Sequence, residues 1–218
     1  MKLENGARHE PFPGSHPPVP RYTPRMATLT AASTFSGRRL RTRRDFEALG
    51  EGPPYYELVE GQLHLRPTPN RYHQEIAANL FRALDREVHP HSLGHVYFAP
   101  FDVYFDFLNA HEPDLVFISK ARAHILTDAG AEGAPDLVVE ILSPKTARLD
   151  RHKKRLVFAR AGVLELWLVD PKTRTVEQWR LPENPDAPAR TLRESEGHIL
   201  TSKLLPRLRL SLREIFAQ

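Results

Sequence analysis

The sequence predicts a mixed α/β (α+β) domain, in which helices are interleaved with mostly antiparallel strands and no regular βαβ alternation. Three observations lead there. Residues 70–88 repeat apolar side chains at the 3.6-residue period of a helix. Several short runs rich in Val, Ile, Leu and aromatic residues read as strands. Gly, Pro and Asp punctuate those runs at turn positions.

Taken in order, residues 42–49 form a short amphipathic helix that stops at Gly50. Tyr55–Val59 and Gln62–Arg66 are two strands of a hairpin turning at Glu60-Gly61. Asn70 caps a long helix whose apolar face is Ile76, Ala77, Leu80, Phe81, Leu84 and Val88. Residues 96–105, VYFAPFDVYF, suit a strand or a bent strand pair. Leu115–Ile118 and Leu137–Leu142 are apolar strands, each entered through Pro-Asp. A helix from Asp150 to Ala161 stops at Gly162, a residue suited to a left-handed cap. Leu164–Val169 and Thr175–Leu181 are further strands, joined by a turn that begins at Asp170-Pro171. The segment LLPRLRLSLREIF closes the chain with a strand and a short helix.

The 218 residues suit one domain with additional length, and 40% of them are hydrophobic. No apolar run approaches the roughly 20 residues needed to span a bilayer, so no membrane partner is expected. Cysteine is absent, which excludes disulfides and thiolate metal sites. The opening MKLENGARHEPFPG lacks the apolar core of a secretory signal, and a cytoplasmic location is expected. The net charge of +4 is unevenly distributed: residues 1–44 carry net +7, leaving the remainder at −3. Residues 11–24 contain six prolines. Residues 1–44 therefore read as a Pro/Arg-rich tail, disordered through residue 37 and holding the start of the short helix. Residues 45–218 read as the folded domain, and Met26 is a candidate alternative start.

Glu140 carries the most chemical information. It lies inside DLVVEIL, where an ionised carboxylate is costly unless paired or bound to a cation. Alternation sets it on the face shared by Asp136, Val138 and Leu142. Asp136 is about 13 Å away along the strand at 3.3 Å per residue, too far to share an ion. Asp114, at the start of a neighbouring apolar strand, is the natural partner, and two such carboxylates suit Mg²⁺ or Mn²⁺. A buried ion pair with Lys or Arg is the alternative explanation of Glu140. Lys154, in the run RHKKR, is placed to neutralise a phosphate, with Lys145 and Lys153 as competitors. His73 lies on the apolar face of the long helix, suited to proton transfer or phosphate contact, or to a hydrogen bond at the core's edge. Glu57 alternates with Leu58 and Val59 and is a third acidic candidate, or an exposed strand residue.

DFEAL, YYELVEGQL, RYHQEIAANL, APFDVYF, EPDLVFIS, EGAPDLVVEILSP, DRHKKRLVFARAGV, ELWLVDP and LLPRLRLSLREIF, in that order, together resemble the Uma-two family of endonucleases, within the PD-(D/E)XK superfamily. The resemblance covers about residues 45–218. It implies a restriction-endonuclease-like core, a mixed sheet flanked by helices, with metal-dependent hydrolysis of DNA. The superfamily pattern has Asp on one strand and Asp/Glu-x-Lys on the next. Asp114 and Glu140 match the acidic positions, whereas Leu142 stands at the usual lysine. The family pattern has a lysine on the following helix, and Lys154 matches it. The implied metal ligands are Asp114 and Glu140, with Lys154 as the implied lysine, and His73 and Glu57 remain candidates from their positions in the helix and strand. DNA is the expected partner. The alternative is a non-catalytic module of the same fold that binds nucleic acid or associates with a second copy as a homodimer.

Overall fold

A computed structural model of the chain describes residues 34–35, 38–50 and 52–218. The tail expected to be disordered and the candidate start Met26 fall largely outside the described residues. Two short strands, β1 (Thr34–Phe35) and β2 (Arg38–Arg39), pair antiparallel. Helix α1 (Arg43–Glu47) follows, its Thr42 cap closed reciprocally by Asp45.

The first of two six-stranded sheets runs β4-β3-β7-β6-β10-β9. Its strands are β3 (Tyr56–Val59), β4 (Gln62–Leu65), β6 (Val103–Asp106), β7 (Asn109–His111), β9 (Leu126–Thr127) and β10 (Gly130–Glu132). The second runs β14-β13-β12-β11-β8-β5. It comprises β5 (Gly94–Phe98), β8 (Leu115–Ser119), β11 (Leu137–Ile141), β12 (Glu165–Asp170), β13 (Thr175–Arg180) and β14 (Arg190–Arg193). Within these sheets only β6–β10 and β11–β12 pair in parallel.

Helix α2 (Arg71–Val88) is capped by Asn70, whose side chain accepts the His73 N–H. Between β11 and β12 the chain is continuously helical from Ala147 to Ala161: α3 (Ala147–Leu149), a π-helical turn at Asp150–Lys154, and α4 (Arg155–Ala161). Gly162 ends α4 at φ 94°, and Val163 N–H closes onto Phe158 O. The chain finishes with β15 (Ile199–Leu200), β16 (Leu210–Ser211) and α5 (Leu212–Ile215). Among the described residues no helix is long and apolar enough to cross a membrane.

Strand β11 is buried on both faces. Leu137, Val139 and Ile141 pack with Ile76, Leu80 and Leu84 of α2. Val138 and Leu142 pack on the other side with Phe158 of α4 and with Leu166 and Leu168. This sandwiching makes its sequence nearly continuous in apolar residues and leaves Glu140 on the α4 side. The expected mixed sheet flanked by helices is this second sheet; the first joins it as a separate layer of strands.

Two elements differ in detail from the sequence reading. VYFAPFDVYF is divided between the sheets, β5 in one and β6 in the other. Tyr97 and Phe101 stack across that corner with ring centroids 4.3 Å apart. The helix expected from Asp150 begins at Ala147 and widens at once: Arg155 N–H bonds Asp150 O, five residues back.

A second carboxylate is buried in β12. Glu165 accepts from Trp167 Nε1 at 3.2 Å, Gln178 Nε2 at 3.3 Å, Ser202 Oγ at 2.9 Å and the Lys203 N–H at 3.0 Å. Strands β12 and β13 are thereby fastened to the segment before α5.

Candidate active site

A cleft of about 720 Å³ opens at the carboxyl end of the parallel pair β11 and β12. Crevices at such ends are where open α/β sheets commonly hold ligands. Glu57, His73, Asp114, Glu140 and Lys154 all line it, although they come from β3, α2, the start of β8, β11 and the π turn. The register of β8 on β11 pairs Val139 with Leu115. One step further along the same register sets Asp114 opposite Glu140. Residues directly opposite across strands have Cβ atoms about 4.5–5.5 Å apart on one face.

Asp114 is held at both oxygens. Oδ1 lies 2.9 Å from His73 Nε2, and Oδ2 accepts the Ile141 N–H at 2.6 Å. The cap at Asn70 sets His73 in the first turn of α2, from which its ring reaches the cleft.

Lys154 is 2% exposed. Its Nζ lies 2.6 Å from Glu140 Oε1, 3.0 and 3.2 Å from the two oxygens of Glu57, and 3.4 Å from Asp150 Oδ1. The shortest of these contacts joins the ammonium to Glu140 Oε1. The ion-pair and site explanations of Glu140 therefore describe the same group. Burial alone would neutralise Lys154, but Glu140, Glu57 and Asp150 together raise its pKa well above the ordinary value. Burial also raises Glu140 well above the carboxylate range; Lys154 opposes this, while Asp150, Glu57 and Asp114 reinforce it. For Glu57 the balance reverses: burial pushes upward, but Lys154, then His111 and Arg66, bring it down to about 2.

The competitors separate by position. Lys145 is exposed and lines the cleft, whereas Lys153 is exposed and does not line it. Asp136 pairs with Arg122 at 3.3 Å and accepts the Ser119 N–H. Asp150 escaped the sequence reading as a site residue, since a carboxylate near a helix start is ordinarily a cap. His111 carried no signal at all. It is buried behind the cleft against Phe105 and Phe158, with both ring nitrogens unpartnered. Burial, reinforced by Lys154, pushes it down to about 3, so it is neutral.

The donor set suits a hard divalent ion. Asp114 and Glu140 offer carboxylate oxygens, Glu140 Oε1 being shared with the Lys154 ammonium at 2.6 Å. Among the described residues, no group of three or more His, Cys, Asp or Glu converges as a metal cage. An ion here would thus rest on two carboxylates, with water or substrate oxygens completing its shell, as Mg²⁺ commonly does.

Residues 43–213 match the Uma2 family, described as "Putative restriction endonuclease". The chain belongs to that family. No curated protein matches it in sequence. Among solved structures, this Uma2 chain is similar to a protein from Anabaena variabilis ATCC 29413 described as "a putative nuclease belonging to DUF820". The TM-score is 0.69 at 23% identity, covering 81% of this chain and 97% of that one. The similarity establishes a shared fold. Every residue that lines the cleft lies within the Uma2 match.

Proposed function

We propose that the cleft is the active site of a divalent-metal-dependent endonuclease that hydrolyses DNA phosphodiester bonds. The observation carrying this reading is the meeting of Asp114, Glu140 and Lys154, from elements distant in sequence, in a cleft with exposed lysines at its rim. The family description and that of the Anabaena protein support nuclease chemistry. Asp114 and Glu140 would hold Mg²⁺ or Mn²⁺. When bound, the ion polarises the scissile phosphate and lowers the pKa of an attacking water. Lys154 supplies a fixed positive charge beside the developing charge on phosphate. His73 orients Asp114 and stands where it can pass a proton or contact phosphate. Lys145 and Lys172 at the rim attract the nucleic-acid backbone.

A second reading is a non-catalytic module of the same fold that binds nucleic acid or self-associates. One observation favours it: three carboxylates already surround the Lys154 ammonium. Purified protein assayed on linear, supercoiled and single-stranded DNA, and on RNA, with Mg²⁺ or Mn²⁺ separates the two. Cation-dependent cutting of DNA that Glu140→Gln abolishes supports the first. Binding without cutting, on every substrate and with either ion, favours the second.

A further inference from the structure

The proposed chemistry needs an ammonium held in one place, and lysine side chains ordinarily have several rotatable bonds to spend. We infer that Glu57 and Asp150 are positioning residues that clamp Lys154 against Glu140; this inference rests on the nuclease reading. The three carboxylates reach Nζ from three separate elements. Glu57 comes from the first sheet, Glu140 from the second, and Asp150 from the helix that carries the lysine itself.

Each arm of the clamp is itself anchored. Glu57 Oε1 accepts the Glu112 N–H at 2.9 Å, which fixes the carboxylate to the backbone after β7. The register of β3 on β4 sets it opposite His64, and its register on β7 sets it one step from the Leu58–Ala110 pair, opposite His111. Neither His111 nitrogen has a hydrogen-bond partner, so His111 leaves the Glu57 oxygens to Lys154 and the Glu112 N–H. Asp150 is 3% exposed and opens the π turn that ends at Lys154. Its spacing of four residues keeps both side chains on one face of the helix. The wide turn is where a helix departs from regularity, and such departures recur at functional sites.

Glu57 and Asp150 thus act through Lys154. Substituting either leaves Asp114 and Glu140 in place but releases the ammonium. A misplacement of about 1 Å can cost on the order of 100-fold in rate, so kcat falls by that order in Glu57→Gln and Asp150→Asn, while KM for DNA stays near the wild-type value.

The test uses the full chain labelled with ¹⁵N-lysine and ¹³C-glutamate, observed by NMR at one neutral pH. A buried, hydrogen-bonded ammonium exchanges its protons slowly and gives a visible Nζ signal, assigned to Lys154 by its disappearance in Lys154→Arg. The clamp predicts that this signal is present in the wild type, with a through-hydrogen-bond coupling to the Glu57 carboxyl carbon and ammonium-proton NOEs to the Asp150 β-protons, which the 3.4 Å ion pair brings close. It predicts loss of the signal in both folded single variants, alongside the kcat defect. Absence of the Glu57 coupling and of the Asp150 NOEs in the wild type overturns the clamp even if neither variant folds. Retention of the signal and of kcat in both variants overturns it as well. If the wild type cuts no nucleic acid, the proposed function falls, and the NMR signals still decide whether the clamp exists.

Discussion

Lys154 Nζ stands 2.6 Å from Glu140 Oε1 while also contacting Glu57 and Asp150. One buried cation therefore serves three buried carboxylates, a surplus of negative charge that the protein bears at some cost. The surplus sets opposite expectations for residues that touch each other.

Glu140→Gln keeps the size of the side chain and removes one charge of the surplus. Because the Glu140 pKa is raised, its ionised form is the one that the fold disfavours. Thermal melting at neutral pH is expected to be unchanged or higher, with cation-dependent cleavage abolished. A clear fall in melting temperature would instead identify Glu140 as an ordinary structural ion-pair partner.

Lys154→Met removes the cation and leaves the carboxylates facing one another. Breaking a buried pair from one side costs about 3–5 kcal/mol. Urea denaturation at neutral pH should report a loss of that order, with stability partly recovered on acidification as the carboxylates take up protons. An unchanged unfolding midpoint would mean that Lys154 is not the charge that holds the cluster.

The cluster also predicts a pH dependence with two limbs. Glu140 and Asp150 are raised, so their contribution to stability increases as pH falls through their folded values toward the ordinary carboxylate range. Glu57, lowered from 4.5 to about 2, stabilises the fold above 4.5 and loses that contribution as pH falls toward 2. Metal-free protein is therefore expected to gain stability on mild acidification and lose it below about pH 4.5. Denaturant midpoints across pH check this. Glu140→Gln should flatten the first limb and Glu57→Gln the second.

Much of this site is visible in the sequence, for a physical reason. A carboxylate inside an apolar strand announces a partner, and that logic finds Glu140; the Pro-Asp entry to the next apolar strand finds Asp114. The same logic applies equally to Glu165 in ELWLVD, and there it points to structure. Glu165 meets four donors, whereas Glu140 Oε1 faces a single ammonium, shared with two other carboxylates. The difference lies in partners brought from up to 38 residues away, which local patterning does not encode. By position alone Lys154 is one candidate beside Lys145 and Lys153, since a lysine in RHKKR reads as a solvated helix face, and the family resemblance is what singles it out. Asp150 was hidden because a carboxylate near a helix start reads as an ordinary cap. The exchange of VYFAPFDVYF between sheets was hidden as well, because both halves are equally good strands.

Glu165→Ala supplies the matching control. It strips the acceptor from Trp167, Gln178, Ser202 and the Lys203 backbone, each unsatisfied donor costing about 1–3 kcal/mol. A loss of at least about 3 kcal/mol is expected by chemical denaturation, with faster amide exchange across residues 201–204. Any surviving folded fraction should bind Mn²⁺ as the wild type does. Normal stability would show that these bonds contribute little.

The Glu165 hub has a consequence for synthesis. Strands β11, β12 and β13 emerge from the ribosome well before Ser202 and Lys203. Until those two residues are free of the exit tunnel, the β12 carboxylate lacks half of its four donors and burying it is penalised. The sheet that carries Glu140 is thus disfavoured from closing on a nascent chain cut short before residue 203. A truncated product would expose an open sheet, recognisable to proteases, while the completed chain locks late and as a whole.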